Sequence, residues 1–201
     1  MRKASLVIFL VLLLDQLSKI YIKTHFFMGE EIHVLGDWFI LHFTENPGMA
    51  FGYELGFSYG KLALSIFRIF AIAGLLFYLY RLVKRKEHAG LIFSISLIAA
   101  GAIGNMIDSA FYGLIFNESG YRELATAFPE QGGYAGFLHG KVVDMLYFPL
   151  FSFNWHQGLP WLGGQSFEFF QPVFNIADSV ITIGVAIILI FQKRFFMRTN
   201  V

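Results

Sequence analysis

The stretch Val173-Phe-Asn-Ile-Ala-Asp-Ser-Val-Ile-Thr-Ile-Gly-Val-Ala-Ile-Ile-Leu-Ile-Phe191 is apolar over most of its length, yet it carries Asp178 near its start. Its length approaches the roughly 20 residues that a helix needs to cross a bilayer. An ionisable side chain in such a segment is expensive to keep there and is by default a candidate functional residue. The stretch therefore predicts a membrane helix with an acid close to one end.

Three more apolar stretches approach the same length, at residues 4–22, 62–80 and 90–112. The chain has 201 residues, of which 56% are hydrophobic and 14% charged, whereas a soluble domain carries about 25% charged residues. We predict an all-α polytopic membrane protein with four transmembrane helices, the last at 173–191, forming a single membrane domain over 1–201. The first stretch resembles a signal peptide but lacks a small-residue cleavage site, so we interpret it as a retained span.

The basic residues predict how the chain crosses the membrane. They are concentrated before the first span, between the second and third, and after the fourth: Arg2, Lys3, Arg81, Lys84, Arg85, Lys86, Lys193, Arg194 and Arg198. Residues 24–60 carry Asp and Glu but no Lys or Arg. Because basic residues favour the cytoplasmic side, we expect both termini in the cytoplasm and residues 24–60 and 113–172 outside it.

The first outer segment predicts a small sheet. Ile32-His-Val-Leu35 and Trp38-Phe-Ile-Leu-His-Phe-Thr44 are rich in β-branched and aromatic residues and flank Gly36-Asp37, as in a hairpin. Asn46-Pro-Gly48 is a turn signal. In the second outer segment, we expect the first part to be a polar loop on the protein surface and the later part to place aromatic residues at the membrane interface. We expect Asp144 in the loop before the last span.

Acids from three spans are expected at one depth. At about 1.5 Å per residue, Asp15, Asp108 and Asp178 lie about 6 to 10 Å from the outer ends of their spans, and Asp144 is expected to approach them from above. Asn105 lies three residues before Asp108, and Asn175 three before Asp178. Two Asp side chains that share a proton can activate water against a peptide bond.

Each of these features also has a simpler interpretation. Asp15 and Lys19, at i and i+4, suit a structural ion pair, and Asn105 with Asp108 suits helix packing. A lone Asp144 suits a solvated loop acid, and a lone Asp178 suits an acid facing a helix dipole. Gly101-Ala-Ile-Gly104 is typical of close helix packing.

Several classes of function are disfavoured. The chain has no cysteine and its six His residues are scattered, so we expect no disulfide, thiol catalysis, metal site or cofactor. A net charge of +1 gives no basis for nucleic-acid binding. A proton- or ion-conducting protein remains an alternative, although the inner half of the spans has no acids and the second span adds little beyond Arg68. A non-catalytic lipid-binding or assembly module is a third interpretation.

Five motifs together resemble bacterial lipoprotein signal peptidase (signal peptidase II). In chain order they are Asp15-Gln16 with Lys19, Asn46-Pro-Gly48 with Ala50-Phe-Gly52, Gly104-Asn-Met-Ile-Asp108, Val142-Val-Asp144 and Phe174-Asn-Ile-Ala-Asp-Ser179. The motifs fall in the first, third and fourth predicted spans and in both outer segments. The resemblance as a whole covers all four predicted spans and most of the first outer segment.

The resemblance implies an aspartic endopeptidase with four transmembrane helices and a small extracytoplasmic β-cradle. Such an enzyme lies in the bacterial inner membrane and cuts diacylglyceryl-modified prolipoproteins before the lipidated cysteine. It would use no metal and be inhibited by globomycin, and we expect a monomer in contact with membrane lipid. By resemblance, Asp144 and Asp178 are the catalytic dyad. The matching supporting positions are Asp15, Lys19, Asn46, Gly48, Asn105, Asp108, Asn175 and Ala177.

Two features depart from the family pattern. Ser109 stands where the family commonly has Arg after the Asp of its Gly-Asn-x-x-Asp motif, which makes Lys19 and Arg122 the candidates to replace that cation. Residues 114–138 and 150–170 have no counterpart that the resemblance assigns, so they are candidates to cover the site or bind a partner.

Overall fold

The structure, a computed structural model, describes residues 1–47, 60–149, 151–154, 157, 161, 164, 166–169 and 172–196. The longer helices are α1 (Arg2–His25), α2 (Gly60–Lys84), α3 (Ala89–Ile107) and α5 (Ile176–Ile190). A π-helical turn (Asp108–Tyr112) and the short α4 (Gly113–Ile115) extend α3, and α6 (Gln192–Phe196) follows α5. The strands are β1 (Glu31–Leu35), β2 (Phe39–Asn46), β3 (Val142–Tyr147), β4 (Phe151–Asn154) and β5 (Ser166–Phe169).

Three helical segments are long and apolar enough to cross a membrane: Arg2–His25, Gly60–Lys84 and Ala89–Ile115. Many of their large apolar side chains are exposed, such as Phe70 at 73%, as expected of helices that face lipid. The fourth predicted span is shorter than expected, because the helix begins at Ile176 and has 15 residues. Val173 and Phe174 precede it, and the Phe174 backbone pairs with Leu146 instead.

Close approach of α3 and α5 depends on glycine. A Cβ atom added at Gly101 would lie 2.3 Å from the carbonyl oxygen of Ala177, and one at Gly104 would lie 2.6 Å from Oδ2 of Asp15. Contacts this short are not tolerated, so only glycine lets α3 pack against its neighbours at this distance. The predicted small-residue packing at Gly101–Gly104 is confirmed.

The basic segments of the chain meet at one end of the bundle. Ala4 of α1, Leu79 and Leu82 of α2 and Leu91 of α3 share an apolar cluster, against which Phe195 of α6 packs. The start of α1, the α2–α3 connection and α6 therefore lie together, and the acids discussed below lie towards the opposite end.

The predicted hairpin is confirmed and is joined by a third strand. Antiparallel β1 and β2 pair through Glu31–His42, and β2 pairs antiparallel with β3 through Thr44–Asp144 and Asn46–Val142. Asp144 thus lies within a strand, and its predicted placement in a loop was wrong. The β-branched Val142 and Val143 favour a strand, but their partner strand lies far away in the sequence.

The described strands form two sheets, one with the order β1-β2-β3 and one made of β4 and β5. The predicted all-α class therefore leaves out a defined part of the fold.

The first part of the second outer segment is anchored to the rest of the protein. Its predicted polar character is confirmed by exposed Arg122 and Glu130, but Ser119 is buried. The hydroxyl of Ser119 accepts a hydrogen bond from Nζ of Lys23 at 2.8 Å, and Lys23 also pairs with Glu45. This buried group joins α1, β2 and the segment at 114–138.

Gly101→Ala should separate α3 from α5, because the added methyl group has no room. We expect the free energy of unfolding to fall by about 1–3 kcal/mol, measured by thermal or denaturant unfolding in detergent. The matched control is Gly74→Ala on α2, where no atom lies within 4 Å of the added Cβ. That variant should be unchanged or more stable by less than about 1 kcal/mol, and equal effects of the two changes would contradict the packing argument.

Candidate active site

The site is built on a buried ion cluster centred on Lys19. Its ammonium group lies 3.0 Å from Oδ2 of Asp15 and 2.8 Å from Oδ2 of Asp108, and it donates to Oδ1 of Asn105 at 2.9 Å. Lys19, Asp15 and Asp108 are fully buried. Gln16 adds a hydrogen bond of 2.9 Å to the other oxygen of Asp108. The expected Asp15–Lys19 pair is present, and Asp108 makes it a triad that links α1 to the end of α3.

Of the two cations considered for Asp108, Lys19 and Arg122, the structure places Lys19 in contact with it. Its contact with Asp108 supplies the positive charge directly, while Arg122 lies exposed in the outer segment. Ser109, the residue after Asp108, donates its hydroxyl to the backbone oxygen of Asn105 at 3.0 Å. The cation that accompanies Asp108 therefore comes from a different helix.

The two acids of the ion cluster hold the backbone on which the dyad candidates lie. Oδ1 of Asp15 accepts a hydrogen bond of 2.9 Å from the amide of Ala177, the residue before Asp178. Oδ2 of Asp108 accepts one of 3.3 Å from the amide of Val143, the residue before Asp144. Each buried acid thus fixes the neighbour of one dyad candidate, which places α5 and β3 relative to α1 and α3.

The start of α5 is set by Asn175. Its side-chain oxygen accepts a hydrogen bond of 2.9 Å from the amide of Asp178, which is the usual role of asparagine before a helix. Asp178 consequently lies in the first turn of α5, nearer the helix end than the sequence count predicted. A carboxylate there is favoured by the helix dipole.

Two asparagine side chains connect the dyad candidates. Nδ2 of Asn175 donates to Oδ1 of Asp144 at 2.7 Å, and Nδ2 of Asn105 donates to Oδ1 of Asp178 at 2.8 Å. Nδ2 of Asn175 also donates to Oδ1 of Asn105 at 3.1 Å. Asn46, at the end of β2, hydrogen-bonds to Asp144 as well. The amides of Asn175 and Asn105 therefore fix Oδ1 of Asp144 and Oδ1 of Asp178.

Burial makes Asp144 a weak acid. Only 3% of its surface is exposed, and burial, followed by the negative charge of Asp178, raises the pKa of Asp144 to about 7. Hydrogen bonds from Asn175 and Asn46 and the charge of Lys19 oppose this rise. Near neutral pH a large fraction of the molecules therefore keep a proton on Asp144, and water activation by two carboxyl groups requires such a proton on one of them.

Asp178 opens onto a cavity between α2, α3 and α5. The cavity has a volume of about 250 Å³ and is lined by Asp178, Asn105 and Arg68 together with apolar residues such as Ala102 and Ile181. A peptide segment that enters it would meet Asp178 directly. This cavity provides the space next to the dyad in which a substrate bond could be held.

The structure brings together nearly all of the residues predicted from the sequence. Asp144 and Asp178 are joined by Asn105, Asn175 and Asn46, while Asp15, Lys19, Asp108 and Ala177 support them from behind. Gly48 lies outside the described residues. In the described ranges, no group of three or more His, Cys, Asp or Glu is arranged to hold a metal ion.

Two participants were not predicted. The side chain of Gln16 donates hydrogen bonds to both Asp15 and Asp108. A polar residue beside Asp15 in an apolar span was the sequence feature that could have indicated this role. Arg68 lines the cavity, and a lone cation within an apolar span was the corresponding signal.

Comparisons with known proteins agree on one family. Residues 7–194 match the family model described as Signal peptidase (SPase) II. The chain is 49% identical over 192 residues to a lipoprotein signal peptidase of Porphyromonas gingivalis, covering 95% of this chain and 82% of that protein. It is 38% identical over 187 residues to one of Amoebophilus asiaticus, covering 92% and 75%.

Solved structures show the same fold. A bacterial membrane enzyme determined by the in meso method at 2.3 Å resolution is 23% identical with a TM-score of 0.65, covering all of this chain and 94% of that one. A second, at 1.9 Å resolution, is 25% identical with a TM-score of 0.63, covering 96% and 93%. The arrangement of helices and sheet described above is therefore one that bacterial membrane enzymes adopt.

Lys19→Met should destabilise the protein strongly, because it leaves two buried carboxylates without their cation. We expect a loss of about 3–5 kcal/mol in the free energy of unfolding, measured in detergent. Lys3→Met, which alters an exposed lysine on the same helix, is the control and should change stability by less than about 0.5 kcal/mol. A Lys19→Met protein as stable as the control would show that Lys19 does not hold the cluster together.

The raised pKa of Asp144 should be visible in the pH dependence of stability. Between about pH 4 and pH 7 the folded protein retains a proton on Asp144 that the unfolded chain releases, so this residue's contribution to stability falls as pH rises through that window and then levels off. Asp144→Asn removes the effect. Its stability relative to the wild type should rise between pH 4 and pH 8, by at most about 4 kcal/mol.

The control for this experiment is Asp37→Asn, since the side chain of Asp37 is 98% exposed. Unfolding curves of the wild type and both variants across the pH range provide the measurement. A constant difference between Asp144→Asn and the wild type would mean that Asp144 titrates alike in the folded and unfolded chains.

Proposed function

The chain belongs to the signal peptidase II family, and we propose that it is an aspartic endopeptidase that removes signal peptides from diacylglyceryl-modified prolipoproteins, cleaving before the lipidated cysteine. The observation that carries the proposal is the pair Asp144 and Asp178, linked through two asparagine amides beside a cavity. The lipoprotein signal peptidases to which the chain is similar supply the substrate class.

In the proposed reaction, the two carboxyl groups share one proton. The ionised group takes a proton from water, whose oxygen attacks the scissile carbonyl carbon, while the protonated group donates a hydrogen bond to the carbonyl oxygen. Collapse of the tetrahedral intermediate breaks the C–N bond, and a carboxyl group delivers a proton to the leaving amine. The half-apolar cavity strengthens these electrostatic interactions relative to water.

The asparagine residues have an orienting role in this proposal. Asn105 and Asn175 each bind one dyad carboxyl group, and their amides also bind each other. This arrangement restricts the rotation of both acids, so their remaining oxygens can converge on a single water molecule. Positioning of this kind lowers the entropic part of the barrier to reaction.

The proposed topology has four membrane spans, with both termini in the cytoplasm and the dyad at the outer face of the bacterial inner membrane. Three spans come from the long apolar helices. The fourth is α5, whose 15 residues extend about 22 Å, continued by α6. The meeting of the basic segments at one end, around Ala4, Leu82 and Phe195, supports this orientation.

The depth of the site suits the proposed substrate. Acyl chains in the outer leaflet would hold the lipidated cysteine at the membrane surface, next to the first turn of α5, where Asp178 lies. The four acids Asp15, Asp108, Asp144 and Asp178 are gathered into one cluster. Such a cluster suits catalysis at one depth better than ion conduction, which needs polar groups along a path.

Asp144→Asn and Asp178→Asn should each reduce cleavage at least about 10³-fold, because an amide can neither accept the proton of water nor return it. The assay uses purified protein in detergent and a diacylglyceryl-modified prolipoprotein peptide, with products identified by mass spectrometry. Cleavage before the lipidated cysteine and its inhibition by globomycin are expected for the wild type.

Asp37→Asn is the matched control, since it makes the same chemical change at an exposed acid of the outer hairpin. It should retain full activity. Both dyad variants should remain folded, as judged by their thermal unfolding. Activity in a folded Asp144→Asn or Asp178→Asn protein would remove the dyad assignment, and no cleavage by the wild type would remove the proposed substrate.

A further inference from the structure

Arg68 occupies an unusual position for a cation. The other basic residues of α2 lie near its ends, at Lys61, Arg81 and Lys84, whereas Arg68 lies about two turns inside the helix. Its side chain is half-buried and lines the cavity that also contains Asp178 and Asn105. A guanidinium group inside an apolar span is costly unless it interacts with a specific partner.

The acid that lines the same cavity as Arg68 is Asp178. Opposite charges that face one small cavity, part of whose wall is apolar, attract each other more strongly than they would in water. The two residues come from different helices, α2 and α5, so their interaction crosses the cavity in which the substrate would be held.

The charges around Asp178 on the side away from the cavity are mostly negative. Asp144 faces Asp178 from β3, while Asp15 and Lys19 on α1 and Asp108 at the end of α3 lie behind Asn105 and Ala177. Lys19 is already engaged by two carboxylates, so the ion cluster carries a net negative charge if both are ionised. Most of the positive charge of Lys19 is therefore balanced within the ion cluster, and Arg68 adds a second cation from the cavity side of Asp178.

We infer that Arg68 is a positioning residue that holds Asp178 in the carboxylate form at the cavity wall, so that the shared proton of the dyad resides on Asp144. This inference rests on the proposed function and assigns the two roles within it. Asp178 is the base that accepts the proton of water, and Asp144 is the acid that polarises the scissile carbonyl group. The deeper burial of Asp144 favours its neutral form, and the hydrogen bond from Asn105 favours the carboxylate of Asp178.

The first test is the pH profile of kcat/KM for peptide cleavage by Arg68→Met, Arg68→Lys and the wild type. Without the positive charge of Arg68, the two carboxyl groups should release their protons at higher pH. Both limbs of the Arg68→Met profile should therefore move to higher pH by about one unit. Arg68→Lys restores the charge and should show less than half of this displacement. A purely structural role for Arg68 would lower the rate at every pH without moving the limbs.

Arg81→Met is the matched control, since Arg81 lies exposed on the same helix at the end away from the cavity. Its profile should coincide with that of the wild type. Unmoved limbs in Arg68→Met, or equal displacement in the Met and Lys variants, would overturn the inference, because neither result is compatible with a charge acting on the dyad.

The second test does not depend on cleavage. Infrared difference spectroscopy of the purified protein follows the protonation of its carboxyl groups during a pH titration, and Asp178→Asn identifies the band of Asp178. That band should titrate about one pH unit higher in Arg68→Met than in the wild type. An unmoved Asp178 band would overturn the role of Arg68 whatever the enzyme cleaves, whereas a shifted band in a protein that does not cut the lipopeptide would contradict the proposed substrate alone.

Discussion

The constraint on which the rest of the site depends is the burial of one ammonium group between two carboxylates. Lys19 contacts both Asp15 and Asp108 in a region with no measurable exposure. Desolvating three charges is expensive, and the arrangement persists only because each remaining polar atom is also bonded. The spare oxygen of Asp15 binds the amide before Asp178, and Asp108 also binds the amide before Asp144. Satisfying the buried charges therefore places the two dyad candidates.

Helix packing and electrostatics reinforce each other in this bundle. Apolar helices gain little from association in lipid, so close contact and interhelical polar bonds decide how they pack. Gly101 and Gly104 bring α3 against α5 and α1, close enough that a side chain at Gly104 would meet Asp15. The same close approach lets Asn105 reach both Lys19 and Asp178. A looser bundle would lengthen these bonds and leave buried polar atoms without partners, which is costly.

The sequence predicted what depends on local pattern and missed what depends on distant pairing. Three long helices, the outer hairpin, the glycine contact and the gathering of acids follow from periodicity, turn signals and spacing, and they are confirmed. The strand that carries Asp144 was missed because its partner, β2, lies about a hundred residues earlier in the chain. The residues next to Asp144 in the sequence do not indicate that pairing. The start of α5 was predicted too early because Phe174 is apolar, like the rest of the span. Its backbone instead pairs with Leu146 of β3.

The positive charge near the dyad candidates comes from helices other than the one that leads to Asp108. A cation adjacent in sequence would accompany Asp108 wherever α3 went, whereas Lys19 reaches Asp108 only when α1 is docked against α3. Arg68 likewise reaches the cavity only when α2 is in place. The two cations near the site, Lys19 and Arg68, thus come from two different helices, α1 and α2, and each reaches the site only through tertiary packing. The electrostatic balance of the two candidate acids is therefore a property of the assembled bundle and not of any one helix.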